Sequence, residues 1–105
     1  MSNPLTEKIK ELAAEFAPDI IQIRRHLHTN PELSELEFKT ADFICATLDS
    51  YGIQYTRGVG GNGIVARIEG RQPQTTTLAL RADMDALPIN ELNDCDYKSQ
   101  NPGVM

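Results

Sequence analysis

The sequence predicts an α/β or α+β layered fold, with two helices leading into the first strands of a sheet. Three observations carry this. Apolar residues recur at steps of three and four as far as Leu48. The period drops to two after Gly52, and a run rich in threonine and leucine follows over 75–82.

Leu5, Ile9, Leu12, Phe16, Ile20, Ile23 and Leu27 form one stripe, the face a helix lays against a core. Pro18 falls inside the stripe and is expected to kink the helix or divide it, because its ring clashes with the preceding turn. Asn30-Pro31 ends the helix. Ser34 and Glu37 have capping-box spacing, with Leu33 and Phe38 placed as a hydrophobic staple, for a second helix over about 34–51. Phe38, Ala41, Cys45 and Leu48 continue its buried face, and Gly52 stands at the C-cap.

Beyond Gly52, Ile53 and Tyr55, then Ile64, Ala66 and Ile68, alternate with polar partners as strands do. Residues 70–74 form a turn, and 75–82 is expected as a third strand. From Leu87 onward, Pro88, Asn93-Asp94 and Asn101-Pro102-Gly103 indicate loop.

The bulk composition narrows the class. At 105 residues the chain suffices for one small domain, and 40% hydrophobic with 24% charged residues is a globular balance. The net charge is -5 and no basic run exceeds Arg24-Arg25, so a nucleic-acid footprint is absent. The start lacks a signal-peptide pattern, and no apolar stretch approaches the ~20 residues of a membrane span. Cys45 and Cys95 have no CxxC spacing. These features suggest a reduced, cytoplasmic chain.

Four groups of residues invite a chemical reading. Gly58-Val59-Gly60-Gly61-Asn62-Gly63 matches GxGxxG, with Asp83 about twenty positions on. A dinucleotide site needs those glycines to open a helix, whereas here they open the alternating run 64–68. We read them as a flexible strand connection. His26 and His28 are two apart, so on a helix they face different ways and cannot jointly clasp a metal. They are expected to seat the helix end, with His28 in a buried contact near Pro31-Glu32. Cys45 sits on an apolar helix face, and Cys95 lies between Asp94 and Asp96, which discourage a thiolate.

The fourth group is the informative one. Along Leu80-Arg81-Ala82-Asp83-Met84-Asp85, strand alternation would put Arg81, Asp83 and Asp85 on one face. Two carboxylates and a guanidinium at a strand's C-terminal end mark a candidate ligand site, or an ion cluster in which Arg81 neutralises both acids. Asp-x-Asp permits two chemistries. One resembles the haloacid-dehalogenase phosphatases, with Asp83 as nucleophile and Asp85 as acid/base beside magnesium. In the other, the carboxylates orient the ligands of a metal pair.

Two motifs favour the second. Arg24-Arg25-His26-Leu27-His28-Thr29-Asn30-Pro31-Glu32-Leu33-Ser34, with Glu37, resembles the opening motif of a metallopeptidase-like amidohydrolase family. That family includes hippurate hydrolases, N-acyl-amino-acid amidohydrolases and auxin-conjugate hydrolases. Leu80-Arg81-Ala82-Asp83-Met84-Asp85-Ala86-Leu87-Pro88-Ile89, with Glu91, is similar to its second motif, and Asn62-Gly63-Ile64-Val65-Ala66 to the strand between them.

The resemblance implies an α/β chain: the N-terminal portion of an incomplete three-layer catalytic domain, with two helices and the first strands of a mixed sheet. It implies two divalent metals, Zn or Mn, in the complete enzyme. A metal-bound water activated by a glutamate would there attack the amide of a small N-acyl amino acid. Related exopeptidases carry a ligand histidine where this chain has Arg81, so Arg81 is not a ligand. A His-Ala-Cys-Gly-His-Asp segment expected after Met105 would supply ligands instead, and a lid or dimerisation domain would come later. Asp83 carries over as the residue that orients a metal ligand, Asp85 and Arg81 more weakly, and no metal ligand is expected within 1–105. The chain is therefore expected to be an inactive portion of an enzyme that binds neither membrane nor nucleic acid and can form homo-oligomers. The competing expectation is a non-catalytic binding module.

Overall fold

The computed structural model describes residues 3–105. Helix α1 spans Pro4–Thr29, α2 spans Phe38–Ser50, and strands β1 (Gln54–Val59) and β2 (Gly63–Arg67) pair antiparallel. No helix among these residues is long and apolar enough to cross a membrane.

α1 starts where its local chemistry favours a start. The Asn3 side chain accepts from the Leu5 N–H at 2.9 Å, and Pro4 occupies the first turn, where its missing N–H costs nothing. Pro18 does not divide the helix, which runs unbroken for 26 residues. Proline removes one intrahelical bond, and the carbonyl it frees, that of Ala14, lies on an exposed residue where water can satisfy it. The turns on either side then keep the helix together.

The apolar stripe of α1 is present, but the core it was expected to meet is not. No residue of α1 is buried, and Leu5, Ile9 and Ile20 are 65%, 58% and 59% exposed. Only its last turns dock, where the His26 ring stacks on Phe43 of α2 at 3.8 Å between centroids.

α2 begins at Phe38, four positions later than the Ser34–Glu37 spacing suggests. That pair forms no capping box. The Ser34 hydroxyl donates to Asp85, Glu37 accepts from Asn62 Nδ2 at 3.1 Å, and Glu35 takes φ 69° between them. Glu32 caps the helix in their place. Its carboxylate accepts from the N–H groups of Lys39 at 3.3 Å and Thr40 at 2.5 Å, and from the Thr40 hydroxyl at 2.7 Å. These are free donors of the first turn, and a carboxylate also complements the positive end of the helix dipole. Phe38 is 57% exposed and so staples nothing, while Thr40, Ala41 and Cys45 form the buried face.

Glu32→Ala should destabilise the chain by about 0.5–2 kcal/mol, the usual cost of a lost cap. Glu32→Gln, which keeps one acceptor oxygen, should lose less. Urea unfolding of the two variants checks this order.

The end of α2 follows the expectation at Gly52. With φ 66°, Gly52 donates to the Asp49 carbonyl at 3.0 Å, and Ile53 donates to Leu48 at 3.0 Å. That is the two-bond Schellman closure, which needs a left-handed residue at this position.

The hairpin registers Tyr55 against Ala66 and Arg57 against Ile64, with a bulge at Gly58 where φ is 78°. The third strand expected over 75–82 does not form. The segment has no ladder partner, and Leu78 and Leu80 are 91% and 101% exposed. A strand exists only through its neighbours' hydrogen bonds, and the described residues supply none here. No mixed sheet is therefore present in the described chain. A single parallel bridge, Leu33 to Ala86, joins the loop after α1 to the segment that follows. Among the described residues the buried hydrophobic core is small, consisting of Ala41, Cys45 and Val104.

Candidate functional site

The bridge between Leu33 and Ala86 locates the Asp-x-Asp segment. The Ala86 N–H donates to the Glu32 carbonyl at 2.8 Å, and the Ser34 hydroxyl donates to the Asp85 carboxylate. One residue further, Leu87 and Met105 exchange backbone hydrogen bonds at 2.9 and 3.0 Å. The loop 32–34 thus holds Asp85 on one side while the chain's last residues hold Leu87 on the other.

Arg81, Asp83 and Asp85 line one open cleft with Ser34, Glu37 and Asn62. The grouping expected from strand alternation is realised, although the segment is not paired as a strand. Arg81 does not neutralise both acids. It pairs with Asp83 alone, at 3.2 Å, with the two side chains 90% and 72% exposed, so solvent screens the pair. Asn62 Nδ2 also donates to the Glu35 carbonyl at 3.1 Å, which fixes the hairpin turn to the rim of the cleft. Its bond to Glu37 holds that carboxyl below the usual carboxylate range. With Glu35 also in its lining, the cleft carries four carboxylates against one guanidinium.

A metal pair needs several convergent donors. Among the described residues no three His, Cys, Asp or Glu side chains converge in that way. Asp83 and Asp85 do not by themselves fit a metal centre, and no step through a metal follows from their arrangement.

The two histidines have separate structural partners. His26 stacks on Phe43, whereas His28 Nε2 lies 2.9 Å from Glu91 Oε2, not against Pro31-Glu32. Pro31 instead offers its carbonyl to Asn101 Nδ2 at 3.1 Å. Both cysteines are free, Cys45 buried on α2 and Cys95 half-buried. The glycine run forms the β1–β2 turn and opens β2, so no helix N-terminus stands behind it for a phosphate.

Glu91, Glu32, Ser34 and Asn62 hold this region together, and sequence reasoning assigned none of them these contacts. Glu32 and Ser34 stand inside the first motif, Glu91 just beyond the second, and Asn62 opens the strand between them, which was the one available signal. Glu91 is buried, and its carboxylate accepts from the Ser99 N–H at 2.7 Å and from Asn93 Nδ2 at 3.3 Å, besides the His28 contact. The Ser99 amide and then His28 hold its carboxyl down at about 2, against the opposing effect of burial. A depressed carboxyl stabilises the fold above its ordinary value of 4.5. That contribution should fade as pH falls from there toward about 2. Thermal melts across this window should show the loss, and Glu91→Gln should flatten it.

No family model matches the chain. It is 48% identical over 99 residues to the N-acyl-L-amino acid amidohydrolase of Geobacillus stearothermophilus, aligning 94% of itself with 26% of that enzyme. It is 47% identical over 102 residues to thermostable carboxypeptidase 2 of Saccharolobus solfataricus, covering 96% of this chain and 26% of that one. Its fold superposes on the crystal structure of the Bacillus subtilis YxeP protein, a dinuclear metal-binding peptidase of the M20 family. The TM-score is 0.80 at 35% identity, over 88% of this chain and 26% of that one. The chain is similar to the N-terminal part of these amidohydrolase and M20 metallopeptidase relatives.

The two helices and the antiparallel hairpin thus match the N-terminal part of an M20 α/β domain. The chain spans about a quarter of the length of the curated relatives it matches. These relatives are named as an amidohydrolase and a carboxypeptidase, not as phosphatases.

Proposed function

We propose that this chain is the N-terminal portion of the catalytic domain of a metal-dependent amidohydrolase that cleaves N-acyl amino acids with two divalent ions, zinc or manganese. Asp83 is the residue we assign to orienting a metal ligand, by accepting a hydrogen bond from it. Asp85 and Arg81 shape the same edge. The observation that carries this reading is the division of labour in the Asp-x-Asp. Asp85 is engaged by Ser34, while Asp83, 72% exposed, lines the cleft with only Arg81 as partner among the described residues. A carboxylate left accessible beside one that is tied down is available to a group arriving from outside these residues. The similarity to the Geobacillus enzyme supports the N-acyl amino acid as substrate.

Because the active relatives are about four times as long, we further propose that residues 1–105 do not hydrolyse substrate alone. The decisive experiment places them in the frame of the Geobacillus enzyme, replacing its matching quarter. The chimera is loaded with zinc or manganese and assayed on N-acetyl and N-benzoyl amino acids, with an N-acyl dipeptide as the carboxypeptidase arm. Hydrolysis of the amino-acid conjugates supports the proposal. A folded, metal-loaded chimera that cleaves only the dipeptide moves the substrate to peptides, and one that cleaves nothing sinks the proposal.

A further inference from the structure

The cleft does not use Glu91, yet Glu91 is the buried carboxylate among the described residues. Both its oxygens are engaged. Oε1 lies 3.0 Å from His28 Nε2 and accepts from the Ser99 N–H at 2.7 Å. Oε2 lies 2.9 Å from the same nitrogen and 3.3 Å from Asn93 Nδ2. A carboxylate taken out of water persists only where its lone pairs are met, so these contacts act as a unit.

The partners come from two places, the end of α1 and the loop 93–99, and from Ser99 the bonds lead back to the cleft. The Ser99 hydroxyl donates to the Val104 carbonyl at 2.7 Å, and Val104 is buried. The next residue, Met105, exchanges its two backbone bonds with Leu87, which stands two positions beyond Asp85. Ala86 between them is bonded to Glu32. Three more contacts close the same loop onto the end of α1. The Gln100 N–H donates to the Thr29 carbonyl at 2.8 Å, the Thr29 hydroxyl to the Tyr97 carbonyl at 3.1 Å, and Asn101 Nδ2 to Pro31. Tyr97 meets the His28 ring edge-on at 5.6 Å, and the Arg25 guanidinium covers it at 4.7 Å.

We infer that Glu91 is a positioning residue: through Ser99 and the Leu87–Met105 pair it holds segment 81–87 against loop 32–34 and so sets where Asp83 and Asp85 stand in the cleft. The consequence for catalysis rests on the function proposed above for that cleft, whereas the mechanical part does not. Glu91 touches no cleft residue itself and acts through the bonds between.

Amide hydrogen exchange on the 105-residue chain tests the mechanical part. In Glu91→Gln, exchange at Ser99, Met105, Leu87 and Ala86 should quicken by about tenfold or more, as expected when bonds to a charged acceptor are lost. Gly52 and Ile53, which close α2, should keep their rates. His28→Gln should give the same pattern more weakly. Unchanged rates at Leu87 and Met105 overturn the inference. So does a uniform acceleration that includes Gly52 and Ile53, because it would make Glu91 an ordinary core residue.

The chimera tests the catalytic part. There Glu91→Gln should lower kcat by about tenfold with KM held within about twofold. A risen KM with kcat kept, or local loosening with no kinetic change, overturns the positioning role. A parent chimera without hydrolysis counts against the proposed function alone, since the exchange measurement decides Glu91 independently.

Discussion

Asp83→Ala in the chimera should lower hydrolysis of N-acetyl and N-benzoyl amino acids by about 10- to 100-fold, the range seen when a residue that orients a metal ligand is removed. The fold should hardly notice. Asp83 is 72% exposed, and its recorded ion pair is the screened contact with Arg81, so the melting temperature should stay within a degree or two of the parent. Asp83→Asn retains an acceptor oxygen without the charge and should fall between the parent and alanine. The metal content of each variant, measured beside its rate, separates a loss of affinity from a loss of turnover. Asp85→Ala should behave differently, because it removes the partner of the Ser34 hydroxyl and loosens loop 32–34 as well as changing the cleft. Full activity in Asp83→Ala, or a loss matched by an equal drop in stability, would defeat the role assigned to it.

Gly63→Ala should destabilise the chain by about 1–3 kcal/mol, the usual cost of forcing atoms into occupied space. A Cβ built on Gly63 would lie 2.2 Å from the Val59 carbonyl oxygen and 3.3 Å from its carbon. Both are backbone atoms of the residue that pairs with Gly63 across the hairpin, so no side-chain rotation relieves the clash. Gly70→Ala is the control, since a Cβ there meets nothing within 4 Å. The difference in urea midpoint between the two variants measures the effect. Equal midpoints would show that the hairpin yields easily and that close approach is not why glycine stands at 63. The strain should also reach the cleft, because Gly63 and Asn62 line it with Asp83.

The same glycine shows what the GxGxxG spacing meant here. Three of its glycines take positive φ in a bulge and a turn, and the last must let two backbones approach. The period of the residues that follow, two rather than 3.6, was enough to separate that use from a phosphate cradle.

The sequence by itself determined the features whose causes lie within a turn or two of chain. The stripe of α1, the C-cap at Gly52, the two alternating strands with their glycine connection and the resemblance of the Arg81-Asp83-Asp85 segment to an amidohydrolase motif all depend on near neighbours or on a contiguous run of letters. The tertiary structure decided everything that depends on a distant partner. Ser34 and Glu37 have the spacing of a cap, but Asp85, far along the chain, takes the serine, and Asn62 takes the glutamate. Glu32 then supplies the cap from outside the helix. His28 finds Glu91 rather than its neighbours at Pro31-Glu32. Leu78 and Leu80 read as a strand but lie exposed, because a ladder needs a second chain segment beside it. Local propensity states what a residue can do, and packing then selects, among competing hydrogen-bond partners, the set that leaves the fewest buried groups unmet.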